Sequence, residues 1–128
     1  MDATGFSITA KRTDEPAPAG FVAGSSSWKV VLRNPRGKTL TVPFYMGPAL
    51  RGEPELEDVL EAIVSGALAY ENNDDILEFA SEYGYSTDTA AERAQVRRTF
   101  NACKRLSERL RTWLEPEEFD SLAYGEDA

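Results

Sequence analysis

The sequence predicts an α+β fold: a small antiparallel sheet of about three strands, followed by three to four helices packed on one face. Apolar residues alternate with polar ones as far as Met46, then recur at i, i+3, i+4 and i+7 from Pro54 onward. Strands gathered first and helices after them are the mark of an α+β arrangement, not of alternating β-α units. The 128 residues suffice for one domain, residues 1–128, with one hydrophobic core.

The first strand is read from Phe6, Ile8 and Ala10 alternating with Ser7, Thr9 and Lys11. Residues 14–27 are rich in Pro, Ala, Gly and Ser and read as a long flexible loop, with Phe21 and Val22 as its anchors. Trp28, Val30 and Leu32 mark a second strand. Asn34-Pro35-Arg36-Gly37 carries the residue preferences of a type I turn. Leu40, Val42, Phe44 and Met46 then line one face of a third strand, making a hairpin. Pro43 has no N–H for a ladder, so this strand lies at an edge or carries a bulge.

Leu56, Val59, Leu60, Ile63, Val64, Ala67 and Leu68 give the first helix, with Pro54 at its first helical position. Asn72-Asn73-Asp74-Asp75 breaks it and caps a second helix built on Ile76, Phe79, Ala80 and Tyr83, which Gly84 ends. Thr89-Ala90-Ala91-Glu92 has capping-box spacing and opens a third helix to about Leu114. Pro116, Phe119 and Leu122 mark a short terminal turn of helix. Trp28, Leu32, Phe44, Leu60, Ile63, Phe100, Leu106 and Leu110 are the expected core.

Composition excludes much chemistry. There is no histidine, hence no neutral-pH general base or imidazole metal ligand. The single cysteine, Cys103, sits in the apolar stripe of the third helix and reads as structural; it can form neither an internal disulfide nor a cysteine-rich zinc site. Asn72-Asn73-Asp74-Asp75 lacks the alternating ligands and central glycine of a calcium loop, and Gly47-Pro48-Ala49-Leu50-Arg51-Gly52 lacks the ending of a phosphate loop. No catalytic residue, metal site or cofactor is expected. No secretory leader or membrane span is visible, which with one unpaired cysteine points to the cytosol.

The net charge of −8 is laid out in blocks. Residues 53–87 hold ten acids and no base, residues 88–114 seven bases and three acids, and residues 115–128, an acidic tail, six acids and no base. The candidate partner-binding residues are Glu57, Asp58, Glu61, Asp74, Asp75, Glu78 and Glu82. Carboxylates at that density can compete for a groove built to hold phosphates. The competing account is that they favour helix N-termini and solvate exposed faces. A separate candidate set for nucleic-acid binding is basic: Lys29, Arg33 and Arg36 in the hairpin, with Arg93, Arg97 and Lys104 on one stripe of the third helix. The net negative charge disfavours direct binding of polyanions.

Between Trp28 and about Leu114 stand Trp28-x-Val30-x-Leu32, Thr41-x-x-Phe44-x-x-Gly47, Pro54-x-x-x-Asp58-Val59-Leu60, Phe79, Gly84-Tyr85 and Cys103. In them the chain resembles a family of small uncharacterised proteins encoded by bacteriophages and other bacterial mobile elements. The resemblance implies an accessory product acting on host machinery in the host cytosol, where inhibitors of host defence such as anti-CRISPR proteins operate. The leading expectation is a non-catalytic inhibitor of a bacterial host protein or complex, such as a CRISPR effector, acting through the acidic face. A small nucleic-acid-binding or regulatory module and a phage assembly accessory protein are the alternatives.

Overall fold

The computed structural model describes residues 3–18 and 21–125. Readings that fall on residues 19–20 of the long loop, and on Glu126 and Asp127 of the acidic tail, lie outside the described residues. A three-stranded antiparallel sheet is followed by four helices, an α+β fold. The chain gathers into two compact units, one ending at Leu60 and the other beginning at Glu61.

The first unit holds β1 (Ser7–Thr13), β2 (Ser26–Arg33) and β3 (Thr39–Met46), in spatial order β1-β2-β3. The hairpin turn forms as its sequence predicts. Gly37 N–H donates to Asn34 O at 2.9 Å, and Asn34 Oδ1 accepts from the backbone N–H groups of Arg36 and Lys38 at 3.0 Å each. Gly37 has φ of +82°, in the region that favours glycine. Period-2 alternation puts Trp28, Val30, Leu32, Leu40, Val42 and Met46 on one face, all buried. Thr9, Lys11, Lys29, Arg33, Thr39 and Thr41 occupy the other face and are exposed.

Asn34 N–H donates to Lys38 O, which fixes the phase of the ladder. In the unbroken β2–β3 register the hydrogen-bonded pairs are then Leu32 with Leu40, Val30 with Val42 and Trp28 with Phe44. Pro43 falls between them with its nitrogen turned outward. It therefore sits on an edge strand, in a continuous register, at a position that asks nothing of an N–H.

The second unit contains most of α1 (Leu56–Glu71), then α2 (Ile76–Tyr83), α3 (Ala90–Trp113) and α4 (Pro116–Tyr124). Asp75 caps α2 by accepting from Glu78 N–H at 2.9 Å, and Gly84 ends it at φ +73°. The capping box of α3 is complete: Thr89 Oγ1 accepts from Glu92 N–H, and Glu92 Oε1 from Thr89 N–H, both at 3.1 Å. Ala69, Phe79, Ala80, Val96 and Phe100 form a buried cluster, against which Tyr70, Ile76 and Cys103 pack. The Phe100 ring lies 5.2 Å from both Tyr70 and Phe79, in tilted geometries favourable for aromatic pairs.

Several details differ from the sequence reading. Pro54 is buried but precedes α1, whose first hydrogen-bonded turn closes from Val59 N–H to Glu55 O; Leu56 opens the helix. β2 begins at Ser26, so the loop is shorter than expected. Phe21 does anchor that loop, its ring 4.9 Å from Tyr45, whereas the Val22 side chain is 68% exposed and Val22 contributes only its carbonyl, which accepts from Ser25 N–H and Oγ. Trp28, Leu32, Leu60, Ile63, Phe100 and Leu110 are buried as expected. Phe44 is only half-buried, because it lines an open groove with Met46, Leu50 and Pro54. Leu106 is also half-buried, with its tip over Gly66 of α1.

Candidate functional site

The acids of α1 stand where helix geometry sends them outward. Glu57 and Asp58 occupy the first turn, and Glu61 lies one turn on from Glu57. At about 100° per residue the three span roughly a 100° arc. Val59, Leu60, Ile63 and Ala67 lie on the other side of the helix and are buried. All three acids are exposed, and their carboxylates make no hydrogen bond or ion pair among the described residues. The helix N-terminus, where unpaired N–H groups carry partial positive charge, stabilises Glu57 and Asp58 there.

The acids around α2 are more varied. Asp75 serves as the N-cap. Glu82 accepts from Asn73 Nδ2 at 2.8 Å, and the same amide nitrogen donates to Ala69 O at 2.8 Å. Asn73 is buried, so this carboxylate satisfies a polar group that would otherwise cost about 1–3 kcal/mol. Asp74 and Glu78 are exposed, with Glu78 Oε2 a long 3.5 Å from Asp74 N–H. Thus Asp75 and Glu82 hold the fold, while Glu57, Asp58, Glu61, Asp74 and Glu78 offer carboxylates to the solvent.

Glu71, from the same acidic run, is tied inward. Arg111 Nη2 donates to Glu71 Oε1 at 2.6 Å and Arg111 Nε to Glu71 Oε2 at 3.2 Å, while Ser107 Oγ donates to Oε2 at 2.7 Å. The Arg111 hydrogen bond, opposed by burial and aided by Ser107, holds the Glu71 carboxyl below its ordinary range. The guanidinium also stacks 3.6 Å from the centroid of the Phe119 ring.

Beside the α2 acids lies a feature that sequence reasoning missed. Tyr83 was expected on the packed side of α2 but is 46% exposed, and Tyr85 is 48% exposed. Both rings rest against Phe79, with centroids at 5.1 and 5.7 Å. Leu77 is exposed as well. The signal was present as Tyr83-Gly84-Tyr85, but a glycine cap explains that triplet without saying which way the rings point. Burial and the neighbouring Glu82 carboxylate push the Tyr83 phenol upward.

The basic candidates divide between the units. Lys29 and Arg33 lie on the solvent face of β2, and Arg33 Nη1 donates to Gly37 O at 2.7 Å, bracing the turn that carries Arg36. Lys29 borders a groove of about 230 Å³ with Thr13, Ser27, Thr41 and Tyr45. Arg93, Arg97 and Lys104 are exposed along α3, Arg93 Nη1 donating to Thr87 O at 2.8 Å. Burial raises the Cys103 thiol above its ordinary range. Among the described residues no cluster of three or more His, Cys, Asp or Glu side chains could hold a metal ion, and no helix is long and apolar enough to cross a membrane. No protein-family model, curated protein or solved structure matches the chain.

Proposed function

We propose that the protein is a non-catalytic binding protein whose acidic residues enter a cationic, nucleic-acid-binding groove on a partner and inhibit it. The observation that carries this reading is the set of outward carboxylates at Glu57, Asp58, Glu61, Asp74 and Glu78, on two helical segments with no Lys or Arg between residues 53 and 87. A carboxylate already paired within its own chain has little left to offer a partner. These five carboxylates make no ion pair with a cation among the described residues. The resemblance to phage accessory proteins supports a nucleic-acid-guided defence complex of the bacterial host, in the manner of anti-CRISPR proteins, as the partner to test first.

The test is displacement of a labelled duplex from a purified CRISPR effector complex. Wild-type protein should displace it, and displacement should weaken as added salt shortens the screening length from about 10 Å at 0.1 M. Neutralising Glu57→Gln, Asp58→Asn, Glu61→Gln and Asp74→Asn together should abolish displacement while leaving the thermal transition in place. Asp75 and Glu82 are spared because they cap and brace α2. Full displacement by the neutralised protein would refute the acidic-face reading. Retention of free DNA or RNA, lost on reversing Arg93, Arg97 and Lys104, would transfer function to the basic set.

A further inference from the structure

The sheet has two edges, and they are not equivalent. β3 turns the backbone of Thr41, Pro43 and Tyr45 outward, and the proline leaves a gap in any ladder that a fourth strand could make there. On the other side, the odd-numbered residues of β2 face β1, so Ser7, Thr9, Lys11 and Thr13 pair with Arg33, Val31, Lys29 and Ser27. The N–H and C=O groups of Ile8, Ala10 and Arg12 therefore point away from the sheet. None of these three residues has a hydrogen-bond partner among the described residues. β1 is seven residues long and contains no proline.

Side chains set what could pair there. On the apolar face, Trp28, Val30 and Leu32 of β2 and Leu40, Val42 and Met46 of β3 are buried, yet Ile8 and Ala10 at the β1 edge are only half-buried. An incoming strand with apolar residues on that face would complete their cover. On the opposite face the edge presents Lys11, flanked on β2 by Lys29 and Arg33; no strand residue of that face is acidic, and among the described residues the one acid that borders it is Glu15, in the groove beside Lys29. A second copy of β1 would bring like charges onto this face, whereas acidic residues there would complement it.

We propose that the outer edge of β1 is a docking site for an extended segment of a partner protein in which apolar residues alternate with acidic ones. The segment adds a fourth strand, exchanging backbone hydrogen bonds with Ile8, Ala10 and Arg12. This does not rest on the acidic-face reading, since it uses a different surface and opposite charge.

The probe is a seven-residue peptide alternating valine with glutamate, set against its valine–lysine counterpart, with amide exchange followed residue by residue. Without peptide, Ile8, Ala10 and Arg12 amides should exchange freely while Thr9 and Lys11, bonded to β2, are protected. The valine–glutamate peptide should slow exchange at Ile8, Ala10 and Arg12 at least about tenfold. Ala10→Pro removes an outward N–H that the fold does not use, as Pro43 does on the other edge, so it should abolish that protection and leave Thr9 and Lys11 protected. Lys11→Glu, on the exposed face, should reverse the preference toward the lysine peptide, and this holds even if the proline variant fails to fold. Protection appearing instead at Thr41 and Tyr45, equal binding of both peptides, no binding at millimolar peptide, or self-association through β1 would each overturn the proposal.

Discussion

Replacing Arg111 with alanine removes several contacts at once, and their sizes can be worked from the structure. The Glu71 and Arg111 side chains are 24% and 44% exposed, so solvent screens their ion pair to about 0.5–1 kcal/mol. Stacking of the guanidinium on Phe119 adds about 0.5–1 kcal/mol. Arg111→Ala should thus destabilise the protein by about 1–2 kcal/mol at pH 7, lowering Tm by roughly 3–10 °C for a chain of this size. The acid limb separates the two parts. Because folding lowers the Glu71 pKa below its ordinary value of 4.5, the ion-pair contribution is complete above that value. It is lost as pH falls through the lower folded value. The stacking part does not titrate. Denaturant unfolding of wild type, Arg111→Ala, Glu71→Gln and the double variant, at pH 7 and pH 3, gives the coupling energy directly. A coupling below about 0.3 kcal/mol at pH 7, or one undiminished at pH 3, would refute the reasoning.

Three further outcomes are expected. Gly66→Ala would place a methyl group 2.9 Å from the tip of Leu106, offsetting a gain of about 1 kcal/mol in helix propensity. It should be near neutral alone and stabilising beside Leu106→Ala in a double-mutant cycle. Gly84→Ala meets no atom within 4 Å, so its cost is conformational, about 1 kcal/mol by thermal unfolding, from forcing a side chain to φ +73°. Cys103 should react with iodoacetamide at pH 8 more slowly than a free thiol, because burial disfavours its thiolate; equal rates would contradict the packing of α3.

What was legible in the sequence is what local chemistry decides. The type I turn, the Asp75, Thr89 and Gly84 caps and the alternation of all three strands depend on residues within a few positions of each other. The acids of α1 were legible as exposed for the same reason, since 3.6-residue periodicity already assigns the opposite side to Val59, Leu60 and Ile63. Tertiary partners were not legible. Nothing local distinguishes Glu71, held by Arg111 forty positions on, from Glu61, which faces solvent. Nor could periodicity say that Tyr83 would lean on Phe79 with half its surface in water. Pro54 was misplaced by two residues because a proline suits both the first helical position and the approach to it.

The Asn34 turn also orders events in time. Its hydrogen bonds join residues 34 to 38, a separation of 4, whereas bringing β1 to β2 first closes the chain from Thr13 to Ser27, a separation of 14. With closure entropy growing as (3/2)RT ln n, the longer closure costs about 1.1 kcal/mol more. On closure entropy the β2–β3 hairpin is the less costly pairing to form first, on the microsecond scale of hairpins generally, and β1 is expected to join it afterwards. By the same inequality β1 is the strand expected to peel away first, an order that amide exchange at Thr9 and Val42 would test. Its departure bares the inner rim of β2, whose residues lack any proline to block a stray strand.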